Sequence, residues 1–353
     1  MKTVCIDARM WGIKHTGIGR YVENLIDNLP PDPQTNVVLI VSPEVFGEPK
    51  LSRFNKYVAR HHPYSISSQF EMFWLLLKIR PDLLHVTHFT IPVLWPGKIV
   101  ITIHDLIKHL SVGVKTSTRN PVLYWFKYLG YLLLVRIAVS KSNHIIVPAE
   151  YWKQFLIKKY SLSPSKVSVT YEGVSDTYLK SVSSETKLPF TKPFVVYTGN
   201  LYPHKNIRIL IEAINILHGK YQLGIICARS VFADRLPKSP HVKFLGKLTD
   251  EQAVYVYKKS TAFVTPSLIE GFGLPGLEAM AVGTPVIAAN ASVLPEIYGP
   301  ACVYFDPHDS KDLANKINKI SKSLVLLAYK QVAKYSWVTM SSTTWKIYQK
   351  ILH

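Results

Sequence analysis

The 353-residue chain is poor in acid: 23 Asp and Glu stand against 42 Lys and Arg, a formal net charge of +19 at pH 7. Such an excess calls for an anionic partner, whether nucleic acid, anionic lipid or a phosphorylated substrate. The cations are dispersed, as at Lys108, Lys127, Arg136, Lys153 and Lys158, with no arginine-rich tail and no aromatic-basic signature. Nucleic acid is therefore not expected, and a generally solvated surface accounts for the charge as well as a membrane-facing patch does. Cysteine is scarce. Cys5, Cys227 and Cys302 are odd in number, lack metal-ligand spacing and sit in apolar runs. Buried thiols in a reducing cytoplasm are the simplest reading. Long uncharged apolar runs are also lacking. The start, Met1 to Met10, has too short an apolar run for a signal peptide. The most apolar stretch, Pro121 to Ser140, is interrupted by Lys127 and Arg136, whereas a spanning helix wants about 20 apolar residues with few charges. It reads as a buried core helix, with a membrane-apposed helix as the alternative. No repeat of solenoid length occurs.

What is present is apolar material, 48% of the chain, at a length where splitting into two domains is the default. Short β-branched runs alternate with amphipathic stretches. Strands are expected at 4–7, 37–42, 83–87, 99–104, 144–148 and 167–171. In the second half they are expected at 194–198, 223–227, 242–245, 262–266, 285–289 and 303–305. Continuous apolar strands separated by helices imply parallel sheets covered on both faces. The chain therefore reads as α/β, with two tandem Rossmann-like domains at 1–175 and 194–335. The polar, Ser-, Thr-, Lys- and Pro-bearing segment 176–193 is the linker. A terminal helix at 336–353 carries Trp345, Ile347, Tyr348 and Ile351 at helical spacing.

Ligands of open α/β sheets bind at strand carboxyl ends, so the loops there carry the candidates. After 194–198 come Gly199-Asn200 and then Lys205-Asn206, with Asn206 a suitable N-cap. Lys205 would lie beside a helix N-terminus, a place that favours anions, although an exposed surface lysine has the same sequence. After 262–266 comes Glu270-Gly271-Phe272-Gly273-Leu274-Pro275-Gly276-Leu277-Glu278. Three glycines within six residues let backbone approach a ligand. Pro275 suits a first helical turn, and Gly283 ends the helix. N–H groups of Phe272 to Leu274 would then face an anion. Glu270 and Glu278 flank them, and carboxylates accept hydrogen bonds from vicinal hydroxyls. Glu278 also reads simply as a helix-dipole partner. In the first half, His104 closes a strand, a place where a histidine is as readily structural as catalytic. Gly17-Ile18-Gly19-Arg20 is not a dinucleotide fingerprint; it reads as a cleft-lining loop before a helix starting near Tyr21.

These residues resemble a known family. Glu270-Gly271-Phe272-Gly273-Leu274-Pro275, Glu278-Ala279-Met280-Ala281 and Gly283-Thr284-Pro285 look like the signature of retaining glycosyltransferases of family 4, with the GT-B fold. Gly199 to Asn206, Val242 to Gly246, Leu294-Pro295-Glu296, Val167 to Val174, and Asp7 with Gly17 to Arg20 are similar to further elements of that family. The resemblance spans nearly the whole chain and is most specific in the second half. It implies an interdomain cleft, a last helix crossing back to the first domain, and roles for single residues. Glu278 would bind donor ribose hydroxyls, and Glu270 would contact the transferred sugar. Phe272, Gly273 and Leu274 would hold the distal phosphate through their N–H groups, with Gly199, Asn200, Gly17 and Gly19 also at the donor. Lys205 would neutralise the leaving diphosphate, and His104 would lie beside the sugar. One departure is Asn200, where many members carry arginine; His204 or Arg229 could supply the missing cation.

The implied activity is transfer of a hexose from a nucleotide-diphosphate sugar to a glycan or lipid-linked acceptor, with retention. The motif style favours mannose from GDP-mannose. The chain contains no D-x-D, so leaving-group charge would fall to fixed cations and helix N-termini, without metal or cofactor. Rival readings are a sugar-nucleotide epimerase of the same fold, a dinucleotide oxidoreductase and a non-catalytic basic module. A lipid-linked acceptor at the inner membrane face would suit the positive charge, placing the protein in the cytoplasm or peripherally on an anionic membrane.

Overall fold

The computed structural model describes residues 1–12, 16–113, 116, 120–227 and 231–353. Arg229, offered above as a compensating cation, lies outside them. The chain divides into two units: Met1–Leu106, Arg119–Glu172 and Trp337–His353 form one, Ile107–Thr118 and Gly173–Ser336 the other.

Unit 1 holds seven strands: β1 (Lys2–Asp7), β2 (Thr35–Val41), β3 (Asn55–Val58), β4 (Leu83–Val86), β5 (Ile99–Thr102), β6 (His144–Val147) and β7 (Val167–Val169). They pair in parallel in the order β3-β2-β1-β4-β5-β6-β7. Central β1 buries Val4, Cys5 and Ile6 completely, as a strand covered on both faces must. β3 was not anticipated. Its sequence, Asn-Lys-Tyr-Val, has no fully buried residue and lies at the sheet edge, where an apolar run is not required. The helix Trp337–Leu352 belongs to this unit. Ser341 Oγ donates to Leu25 O at 2.8 Å, and Tyr348 bonds to His85. The last helix therefore does return to the first domain.

Unit 2 holds β8 (Phe194–Thr198), β9 (Gln222–Ile226), β10 (Val242–Gly246), β11 (Ala262–Thr265), β12 (Val286–Ala289) and β13 (Val303–Phe305). These are again all parallel, in the order β10-β9-β8-β11-β12-β13. Strand order reverses between β8 and β11, the place where doubly wound sheets bind ligands. The loops leaving these two neighbours carry Lys205 and Glu270. The segment 176–193 groups with unit 2, where Tyr178 is buried and stacks on Tyr257 at 6.1 Å.

The core reading of 121–140 is overturned. The helix Pro121–Lys141 buries only Tyr131, Val135, Ala138 and Val139, while Phe126 is 76% exposed and Val122, Leu129 and Leu133 also face outward. It is apolar around most of its circumference, so its sequence gave no polar face from which to infer a buried one. By length and composition it could cross a membrane. Two smaller corrections concern helix starts. Gly17 and Gly19 lie inside the helix Thr16–Asp27 rather than in a loop before Tyr21. Asn206 stands at the N-cap of Ile207–Ile216 in a left-handed conformation (φ 55°), but its side chain does not cap. Its Nδ2 donates to Pro307 O instead.

Candidate active site

In unit 2 the sequence Leu-Pro-Gly-Leu-Glu-Ala-Met-Ala forms the helix Leu274–Ala281, with Pro275 in its first turn. Gly273 precedes it at φ 101°, a conformation that favours glycine. Tyr298 fixes this turn. Its hydroxyl donates to Gly273 O at 2.6 Å, and a Cβ on Gly276 would stand 2.2 Å from that hydroxyl. Within the first turn Pro275 has no N–H and Gly276 N–H donates to Gly273 O at 3.2 Å, so Leu274 N–H is the first-turn donor that lacks an intrahelical partner. The Phe272 side chain is not open to a ligand: it is buried edge-on to Tyr335 at 5.5 Å. Only its backbone can serve, as expected above. Gly271, Gly273 and Gly276 do have G-x-G-x-x-G spacing at a strand-to-helix turn. That turn follows the fourth strand of its sheet, however, not the first, where the dinucleotide fingerprint belongs.

Beside the turn, Lys205 Nζ lies 2.7 Å from Glu270 Oε2, both side chains largely but not fully buried (14% and 15% exposed). Burial alone would raise the Glu270 carboxyl. The Lys205 charge and hydrogen bond outweigh it, with a hydrogen bond from Ser267 helping, and hold the group below its ordinary value. Glu270 is thus an acceptor-only carboxylate at neutral pH. Burial pushes His204 down to about 4, with the Lys205 charge adding and Glu270 opposing. His204 is therefore neutral at pH 7 and does not supply the cation missing at Asn200. Asn200 Oδ1 accepts from Tyr202 N–H at 3.3 Å, closing the loop locally. Gly199 is at φ 149°, and a Cβ there would meet the Tyr197 hydroxyl at 2.5 Å. That hydroxyl in turn donates to Asn200 O. Glu278, fifth residue of its helix, is buried, which a solvated dipole partner would not be.

In unit 1, His104 stands just beyond β5 and is buried. Its Nε2 donates to Thr87 O at 3.1 Å, its Nδ1 lies 3.5 Å from Glu172 Oε1, and Tyr21 meets its ring edge-on at 4.6 Å. Within the helix Thr16–Asp27, a Cβ on Gly19 would stand 1.9 Å from Gly12 O, whereas one on Gly17 meets nothing. Sequence reasoning missed several groups. Glu172 lay in the matched 167–174 segment but carried no spacing signal. Asp7 and Arg9 form a buried pair at the end of β1 (2.6 and 2.8 Å), extended by Arg9 to Ser68 Oγ. His85 bonds Tyr348 and Thr102, and burial holds its pKa down at about 3. Among the described residues no group of three or more His, Cys, Asp or Glu could hold a metal.

Two parallel-sheet units, with a glycine turn, a buried Lys–Glu pair and a buried carboxylate at the switch point of the second, define the GT-B class of glycosyltransferases. Residues 181–335 match the model of "Glycosyl transferases group 1", and residues 15–178 that of "Glycosyltransferase Family 4". The O-antigen chain mannosyltransferase RfbU of Salmonella typhimurium is 27% identical over 266 residues, 71% of this chain and 69% of that protein. O-antigen chain mannosyltransferase B of Escherichia coli is 27% identical over 254 residues, 67% of this chain and 64% of that protein. The matches thus span about two thirds of these relatives. A sucrose-phosphate synthase of Thermosynechococcus elongatus shares the fold, with TM-score 0.75, 17% identity and 99% of both chains covered. The chain belongs to glycosyltransferase family 4 and is a hexosyltransferase of GT-B fold.

Proposed function

We propose that this enzyme transfers mannose, with retention, from GDP-mannose to a glycan or lipid-linked acceptor. The observation that carries the donor site is the Lys205–Glu270 pair beside the Gly273 turn. Helix N–H groups and a fixed ammonium favour a diphosphate and stabilise its charge as it leaves, so metal is not required. Glu278 takes the ribose hydroxyls, and Glu270, held ionised, accepts from sugar hydroxyls. Gly199 and Asn200, in the same unit, line the donor. The mannosyltransferase names of the relatives support mannose. A thermal-shift panel of GDP-, UDP- and ADP-sugars, with and without EDTA, tests the reading, because a ligand that binds only the native state raises Tm. Stabilisation by GDP-mannose alone, insensitive to EDTA and lost in Glu278→Ala, is expected; a UDP- or ADP-sugar response instead overturns the donor. The anomeric proton of the product, by NMR, tests retention.

The enzyme works at the inner face of an anionic membrane. Ile66, Phe70, Trp74 and Leu77 form an exposed stripe on the helix Ile66–Ile79, and Val122, Phe126, Leu129 and Leu133 form another on Pro121–Lys141. Lys78, Lys127 and Arg136 lie among them, a combination suited to an interfacial surface. Co-sedimentation with phosphatidylglycerol vesicles should fall in Phe126→Ser/Leu129→Ser and at high salt. Unchanged sedimentation removes the membrane from the account.

A further inference from the structure

The carboxyl edge of the unit 1 sheet carries His104 and Glu172. A second feature runs along the edge strand β7, and the glycosyl-transfer reading does not use it. A concavity of about 580 Å³ opens at the amino ends of β6 and β7 and adjoins another of about 430 Å³, the two sharing Lys153, Ser168, Ile347 and Lys350. Four lysines line them, from three separate elements. Lys153 comes from the helix Glu150–Tyr160, Lys166 from the turn before β7, and Lys346 and Lys350 from the C-terminal helix. One carboxylate, Glu150, shares the lining and lies 3.9 Å from Lys153. Among the described residues Lys346 and Lys350 have no acidic partner, and Lys166 donates only to Ser140 O.

A lysine in the last turn of a helix complements the helix dipole, which accounts for Lys350 alone. It does not account for Lys153, Lys166 and Lys346 meeting it in one hollow, because like charges brought together repel. The hollow also contains small polar partners: Ser168 Oγ bonds His144 Nε2 at 2.8 Å, and the Asn143 side chain lies in the lining. The charges are felt locally. Burial, reinforced by Lys350 and Lys166, pushes His144 down to about 4.

From this geometry we infer that the lysine-lined hollow is a binding site for a phosphate- or diphosphate-bearing ligand. A dianion or trianion offers several acceptor oxygens to converging ammonium groups and relieves their mutual repulsion. The lining runs along the edge strand β7, from Pro164 before it to Val169 at its end, and contains neither His104 nor Glu172, so the site is separate from the unit 1 residues assigned to transfer. Because the C-terminal helix contributes two of the four lysines, its return to unit 1 completes the site.

The test is isothermal titration of the full chain with pyrophosphate, using Lys205→Ala to remove the donor-site cation. Wild type and Lys205→Ala should bind alike at the hollow, while Lys346→Ala/Lys350→Ala, both exposed and safe for folding, should bind at least about tenfold more weakly. In the same titration followed by NMR, His144 should titrate at higher pH once pyrophosphate is bound. Binding lost in Lys205→Ala but kept in the double variant, no binding to wild type, or an unmoved His144 overturns the inference. Vesicles containing phosphatidylglycerol separate the sources. Displacement of pyrophosphate by vesicles identifies a lipid headgroup, and its persistence identifies a soluble phosphorylated ligand; either outcome upholds the phosphate chemistry.

Discussion

Each unit holds a buried ion pair at a strand end, and the two are built differently. Asp7–Arg9 in unit 1 is bidentate, almost sealed (7% and 2% exposed), and braced by Ser68. Lys205–Glu270 in unit 2 is a single contact between side chains from two loops, and each keeps some exposure. In the first, each guanidinium nitrogen of Arg9 is engaged, to Asp7, Ser68 or His61 O, and the pair fixes the end of β1. In the second, Lys205 Nζ donates to Glu270 and both side chains keep partial access to solvent. A buried charge pair is thus not in itself a functional sign; partial access distinguishes the pair proposed for the donor site.

Four measurements sharpen or break this contrast. Arg9→Ala should have the largest effect on stability, about 3–5 kcal/mol in denaturant unfolding, because it strands the Asp7 carboxylate. Lys205→Ala should lower kcat/KM about 100-fold, or about 2.7 kcal/mol, with a smaller loss of stability. The reverse pattern, a Lys205 variant that unfolds easily but turns over normally, would break the comparison. Gly276→Ala should cost about 1–3 kcal/mol by overpacking against Tyr298. Tyr298→Phe, which removes only the bond to Gly273 O, should cost about 1 kcal/mol and weaken donor binding.

The smallest effects concern pH. His85 and His204 are held neutral, with pKa values of about 3 and about 4 against an ordinary 6.5. Below 6.5 the unfolded chain binds protons that the folded chain refuses, so their stabilising share falls as pH drops towards those values. Glu270 has the same sign in a lower window. Its folded value lies under the ordinary 4.5, so its contribution is complete above 4.5 and is lost as pH falls below it. Tm should therefore decline from pH 7 to pH 4, and less steeply in His85→Asn. An equal slope in that variant would remove His85 from the account.

Unit 2 was legible because its devices are local. Strand, glycine turn, Pro275 and Glu278 follow one another along one segment, and each residue type has a conformational reason to be where it is. Phe194–Thr198 and Val303–Phe305 appear as read, because short β-branched runs between breakers leave few alternatives. Unit 1 was less legible. Glu172 reaches His104, and Tyr348 reaches His85, only after distant segments come together. The edge strand Asn55–Val58 lacks the apolar pattern, because an edge does not demand one.

By itself the sequence determined the α/β class, the parallel strands and the glycine turn before the helix Leu274–Ala281, all of which rest on backbone geometry and local sequence patterns. Tertiary structure alone decided which apolar segments are covered and which charges meet. The helix Pro121–Lys141 is apolar on nearly every side, so its burial depended on how little of it the sheet could cover. The lysines at 153, 166, 346 and 350 share a hollow because the last helix returns to the first sheet. Burial and electrostatics depend on distance in space, which spacing along the chain does not record.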